Sequence, residues 1–157
     1  REQVEAMKAM TFRVNQILSV RLDEVLRPLQ LTFARFEVLM NLSWAHGGTL
    51  SVGQLGRVLQ VHPTSVTNAV DRLEADGLVL KERSREDGRV VLVRLTPLGR
   101  TAAGDSTRLL ADQVFSQLGL APAEIGRLWS LLRSFRANSG DFNGPRRLSG
   151  RADPADD

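Results

Sequence analysis

Residues 51–79 read SVGQLGRVLQVHPTSVTNAVDRLEADGLV, and the spacing within them decides the architecture. Ser51 followed three residues later by Gln54 has the form of a capping box, in which the serine oxygen accepts the Gln54 amide and the glutamine side chain reaches back to the Ser51 amide. This opens a short helix expected to bury Leu55, Val58 and Leu59. After Val61 and His62, Pro63 fits the first position of a second helix, where a missing amide hydrogen costs nothing. Val66, Ala69, Val70 and Leu73 make the inner face of that helix, and Gly77 stops it. Two short helices separated by so few residues have helix-turn-helix spacing.

Outward from this core the period changes. Leu78, Val79 and Leu80, and then Val90 to Leu95, are aliphatic and β-branched, and the polar stretch Lys81 to Arg89 between them ends in the tight-turn dipeptide Asp87-Gly88 before Arg89. A two-stranded hairpin is therefore predicted. Upstream, Thr32 is placed to cap a helix running to about Ala45, with Phe36, Leu39, Met40 and Leu42 inward and His46-Gly47-Gly48 breaking it. Residues 3–27 carry Val4, Met7, Met10, Val14, Ile17, Leu18, Leu22, Val25 and Leu26 on one stripe of a long helix that Pro28 ends. That stripe is longer than one compact domain usually covers, so part of it is expected to pack against a second subunit. Downstream, Thr96 caps and Pro97 starts a helix to about Leu118, and Pro122 starts a last one to about Arg136 bearing Ile125, Leu128, Trp129, Leu132 and Phe135. From Asn138 onward glycine, proline, serine and charge dominate, and a disordered tail over 138–157 is expected.

The chain of 157 residues, 42% hydrophobic and 25% charged, suits one soluble domain. It has no cysteine, which excludes disulfides, thiolate metal sites and thiol nucleophiles. The longest apolar run is the four residues Val90 to Val93, and no apolar signal core stands at the start, so a soluble cytoplasmic protein with no membrane span is expected. Only two histidines, His46 and His62, are present, with no glycine-rich phosphate loop after a strand; nothing resembles a metal triad or a nucleophile with its base. Acidic pairs such as Asp23-Glu24 and Glu86-Asp87 read as solvated charge. A non-enzymatic protein without metal or cofactor is the expectation.

Net charge is only +3, so the placement of the arginines matters more than their number. The helix from Pro63 has an outer face of Thr64, Ser65, Asn68, Asp71 and Arg72 with Thr67 at its margin, small and polar enough to enter a major groove. Asn68 can pair with an adenine edge, the hydroxyls can serve bases or phosphates, and Arg72 is better placed for the backbone. The same face also reads as the solvated side of an ordinary helix. Arg83, Arg85 and Arg89 crowd the hairpin loop among Glu82, Glu86 and Asp87. If Asp87 pairs with a neighbouring arginine, one guanidinium can project into a narrow minor groove. His62 precedes the helix, where a backbone or phosphate contact competes with no role.

Val66-Thr67-Asn68-Ala69-Val70-Asp71-Arg72-Leu73-Glu74-Ala75-Asp76-Gly77-Leu78-Val79, then Asp87-Gly88-Arg89, then Leu95-Thr96-Pro97-Leu98-Gly99, resembles the signature of the MarR family of winged-helix transcriptional regulators. The resemblance implies a mainly α fold with a small antiparallel β-hairpin, a winged helix-turn-helix with N- and C-terminal dimerisation helices. It implies one domain over 1–137, with a DNA-binding lobe at about 30–100 and dimerisation helices at 1–28 and 101–137. Arg89 would enter the minor groove with Asp87 as its positioning partner. Gly88 stands where the family more often has arginine, and Lys81 where an arginine often follows the first wing strand. The family also implies a small anionic or aromatic effector between lobe and dimerisation helices; Phe36, Met40 and Trp44 at helical spacing, with Arg21 or Arg35, are the candidates, against a competing reading of that stripe as core.

The expected function is that of a homodimeric regulator, a repressor on a pseudopalindromic double-stranded DNA operator whose half-sites lie about 10 base pairs apart. The alternative is a winged-helix interaction module that binds a protein or RNA partner without specific duplex recognition. A steep salt dependence would mark the first.

Overall fold

The computed structural model describes residues 2–141, and the part of the expected tail from residue 142 onward lies outside them. Helix α1 spans Glu2–Leu26 and ends at Pro28, which sits in a short 3-10 turn, Arg27–Leu29. Helix α2 (Phe33–Trp44) is capped by Thr32, whose side chain accepts the Arg35 amide. Strand β1 (Thr49–Ser51) leads directly into α3 (Val52–Leu59), with both hydrogen bonds of the Ser51–Gln54 capping box present at 3.1 and 2.8 Å. Helix α4 (Pro63–Ala75) starts on its proline and stops at Asp76, ahead of Gly77, whose φ of +72° favours glycine. Strands β2 (Val79–Arg83) and β3 (Val91–Leu95) follow, then α5 (Pro97–Gln113) and α6 (Pro122–Asn138).

The sheet has three antiparallel strands in the order β1-β3-β2, one more than the expected hairpin. Thr49, Leu50 and Ser51 pair with Arg94, Val93 and Leu92, so β3 is the central strand and the segment ahead of α3 is stitched to it. Strand β2 also runs further than Leu80: Lys81, Glu82 and Arg83 pair with Val93, Leu92 and Val91 despite their polarity. Helix α5 ends earlier than expected, at Gln113, and a 3-10 turn at Phe115–Gln117 takes up the remainder. Val58, expected inside, is 38% exposed, because Leu55 and Leu59 already fill the inward side of the two-turn α3.

Leu55, Val66, Val70 and Leu73 from the two short helices meet Leu39 and Leu42 of α2 and Val79 and Val93 of the sheet in one core. Leu22 and Leu26 at the end of α1 and Ala103, Leu110 and Val114 of the α5 region extend it. Thr96 ties the sheet to α5: its Oγ1 lies 2.8 Å from the Gly77 carbonyl and accepts the Gly99 amide at 2.9 Å. Gly99 must be glycine here, since a Cβ would fall 2.0 Å from the Leu78 carbonyl oxygen. By contrast α6 buries none of its residues, and on α1 only Leu22 and Leu26 are buried. No helix among the described residues is long and apolar enough to cross a membrane.

Candidate nucleic-acid interface

The start of α4 is set by an imidazole. His62 Nδ1 accepts the Thr64 amide at 3.2 Å and lies 3.0 Å from Thr64 Oγ1, so this ring satisfies an amide that the helix cannot. An accepting Nδ1 places the proton of the neutral ring on Nε2. Thr67 Oγ1 donates to the Pro63 carbonyl at 3.0 Å and keeps its lone pairs for a partner. Ser65, Asn68 and Arg72 are exposed and make no side-chain hydrogen bond or ion pair within the described residues. Asp71 differs from these neighbours: it is taken up by the sheet.

Lys81 on β2 makes that connection. Its Nζ lies 2.6 Å from Asp71 Oδ1 and 3.1 Å from Glu74 Oε2, and its amide donates to Glu74 Oε1 at 3.0 Å. The amide and ammonium of Lys81 hold the Glu74 carboxyl below its ordinary value, and the two carboxylates hold the Lys81 ammonium above its own. One of the two negative charges beside the outer face of α4 is thereby offset, and the helix is fastened to the wing.

In the wing itself, the segment between β2 and β3 is fixed by its backbone rather than by an ion pair. Asp87 meets Arg89 through the backbone: its Oδ1 accepts the Arg89 amide at 3.0 Å, a short-range turn contact open to any aspartate with that geometry. The arginine that does hold the turn is Arg83, whose Nη1 donates to the Gly88 carbonyl at 2.8 Å. Ser84 supports the same turn by accepting the Glu86 and Asp87 amides. Arg94 pairs with Glu82 across the strands. Arg85 and Arg89 are left exposed and without an ion pair among the described residues.

Helix α4 and the wing enclose a groove of about 680 Å³ lined by Thr67 on one side and Arg83 and Arg89 on the other, with Val52, Val70, Val90 and Val91 between. Arg57 of α3 also lines it, and Arg57 was not singled out from sequence. Its signal was available: it lies opposite the buried Leu55 side of the first helix of the pair, the helix that crosses the duplex backbone in such motifs.

A second cleft of about 340 Å³ lies between the α1–α2 turn and the end of α4, lined by Asp23, Arg27, Gln30, Leu31, Thr32, Arg35, Arg72 and Asp76. The effector candidates are not brought together here. Arg35 lines this cleft, whereas Phe36, Met40, Trp44 and Arg21 line neither cleft. Phe36 is sealed in the core with its ring 6.0 Å from Phe33, Met40 packs half-buried against that core, and Trp44 is exposed at the far end of α2.

A pair of short helices, the second exposed along one face and bracketed by a three-stranded sheet with an arginine-bearing loop, defines a winged helix-turn-helix protein. Residues 29–90 match the family model described as MarR family. The multiple antibiotic resistance protein MarR of Escherichia coli is 32% identical over 122 residues, covering 76% of this chain and 83% of that one. Among solved structures, Sco5413 of Streptomyces coelicolor, a MarR family transcriptional regulator, superposes with a TM-score of 0.78 at 40% identity, covering 88% of this chain and 98% of that one. A mutant MarR from E. coli complexed with operator DNA superposes with a TM-score of 0.74 at 28% identity, covering 85% and 95%. The chain belongs to the MarR family of transcriptional regulators.

Proposed function

We propose that two copies of this chain bind one double-stranded operator, repressing transcription by occupying it. The observation that carries this reading is the outer face of α4, Ser65, Asn68 and Arg72, standing beside a wing whose Arg85 and Arg89 side chains are exposed and make no ion pair among the described residues. Asn68 reads a base edge, with Thr64, Ser65 and Thr67 beside it, while Arg72 and the His62 Nε2–H serve phosphates. Arg89 enters the minor groove, and Arg85 and Arg57 meet the backbone. Arg83 acts from within, by holding the turn through Gly88, and Asp87 by holding the Arg89 backbone. The lobe at about 30–100 is the reading unit; 1–28 and 101–137 supply the dimer arm. In support of the arm, Val4, Met7, Met10, Val14 and Ile17 of α1 and Ile125, Leu128, Trp129, Leu132 and Phe135 of α6 are all exposed in the single chain. A stripe of that length on both terminal helices matches a second copy bearing the same stripe. The site of action is the cytoplasm, with the DNA.

An effector would act by preferring one separation of the two lobes, weakening operator binding by its coupling energy of about 1–3 kcal/mol. The cleft at Arg27, Arg35 and Arg72 is the place where a small anion would meet guanidinium groups between arm and lobe.

Selection of bound sequences from random duplex DNA tests the reading, and should return an inverted repeat with half-sites about 10 base pairs apart. Asn68→Ala should then change preference at one position of each half-site by about 1–3 kcal/mol. Arg89→Ala should weaken binding mostly regardless of major-groove sequence and lower the log-log salt slope by about 0.9 per subunit. Recovery of no sequence above bulk DNA at low ionic strength, or equal sequence-blind losses from both variants, would contradict the assignment.

A further inference from the structure

Helix α4 is held at its C-terminal end by a contact with α2, whose first turn is held in its own right to α1 of the arm. Asp76, which ends the helix, places Oδ2 3.6 Å from Arg35 Nη1 on α2. A carboxylate at a helix C-terminus opposes the macrodipole, so Asp76 is poorly placed for α4 alone and gains from a cation beside it. Arg35 supplies that cation. Its side chain is only 19% exposed, and its Nε donates to Thr32 Oγ1 at 3.3 Å, the same oxygen that caps α2. Next to that cap, the Phe33 amide donates to Asp23 Oδ1 of α1 at 2.8 Å. Separate polar contacts therefore tie α1 to the start of α2 and α2 to the end of α4. Arg72 lines the same cleft without an ion pair among the described residues, so proximity alone does not produce this tie.

We propose that Arg35 is a positioning residue that fixes the angle between α4 and the arm, and thereby the half-site spacing that the dimer accepts. The inference rests on the operator-binding reading above. In a two-fold dimer the separation of the two α4 helices is set by how each lobe leaves the arm. One added base pair moves a half-site by about 3.4 Å and turns it by about 35°. A stiff joint penalises that displacement, and a loose one follows it. Arg35 sits at the end of α4 away from the bases, so its loss leaves base reading alone.

The test uses the whole chain with duplexes carrying the selected half-sites, either at the selected spacing or with one base pair added or removed, and a single half-site as reference. For the wild type, the affinity ratio between correct and altered spacing measures the stiffness of the joint. Arg35→Gln should reduce this ratio by about five-fold, with two ties lost per dimer, while base preference on the single half-site stays unchanged. Arg35→Lys should retain most of the ratio, and the exchanged pair Arg35→Asp with Asp76→Arg should recover part of it. Should Arg35→Gln fail to fold, Asp76→Asn, at an exposed helix end, breaks the same tie and decides the matter. Variants that bind more weakly overall yet keep the wild-type ratio would overturn the positioning role and leave the operator reading standing. A wild type that selects no duplex would overturn the operator reading and this inference with it.

Discussion

Leu73 of α4 and Leu132 of α6 occupy the same kind of position, an apolar side chain on the inner stripe of an amphipathic helix. Leu73 is fully buried and Leu132 is 54% exposed. The difference separates two regions of the molecule. The winged lobe closes on itself: α2, α3, α4 and the sheet each cover the apolar side of another, and no buried side-chain polar atom among the described residues lacks a partner. The terminal helices do not close. They present aliphatic and aromatic side chains to solvent along most of α1 and all of α6, a patch that a monomer seldom tolerates. One region is finished by its own sequence, and the other leaves exposed the apolar surface on which a second copy is proposed to pack.

The sharpest way to break that contrast is to truncate both leucines. Leu73→Ala should cost about 2–5 kcal/mol in denaturant unfolding, because the cavity it leaves is walled by packed residues on every side. Its cost should not vary with protein concentration. Leu132→Ala should show the opposite pattern, with an effect that grows as the protein is diluted. Equal, concentration-independent losses at the two positions would mean that α6 is already packed within one chain.

A charge probes the arm alone. Leu132→Glu would place a carboxylate in the proposed seam, and self-association should weaken by at least about ten-fold in sedimentation equilibrium. The circular dichroism of the lobe should stay as it is, because Leu132 is not a member of its core. An unchanged association constant would remove α6 from the dimer interface.

Much of the lobe is legible in the sequence alone. The Ser51–Gln54 capping box, Pro63 at a helix start and Gly77 after a helix end are local devices, and each sits where its chemistry requires. Strand β1 could not be read this way, since Thr49-Leu50-Ser51 is too short to show a period and exists through its pairing with β3. The extension of β2 over Lys81, Glu82 and Arg83 was hidden for a related reason: ladder hydrogen bonds are indifferent to side-chain polarity. At the interface, the pattern identified the outer face of α4 but not which of its members were already engaged. Asp71 stood among the outward residues, and only the fold brings Lys81 to it across ten positions. The stripe Phe36, Met40 and Trp44 showed the limit of periodicity, which gives a direction on the helix and not what lies in that direction.

The smallest expected effect concerns the Lys81 contact, which belongs to the closed lobe but sits at its surface. Lys81→Met removes the cation between Asp71 and Glu74 and leaves two carboxylates three residues apart on one helix face. Because the groups remain partly in solvent, the melting temperature near neutral pH should fall by no more than a few degrees. Its pH dependence is more diagnostic than its size. Glu74 is held below its ordinary 4.5 first by the Lys81 amide, which the variant keeps, and next by the ammonium, which it loses; the ammonium's share is present above that value and is lost as the pH falls through the lowered one. Lys81 is held above its ordinary 10.5, so its contribution is present below that value and is lost as the pH rises through the raised one. The difference between wild type and variant should therefore be flat from about pH 5 to pH 10 and shrink outside both limits. Operator affinity should fall with it, since freed carboxylates on α4 would face phosphate and the wing would lose its fixed angle. A difference that persists unchanged in acid would mean that Lys81 contributes through the packing of its aliphatic stem instead of its charge.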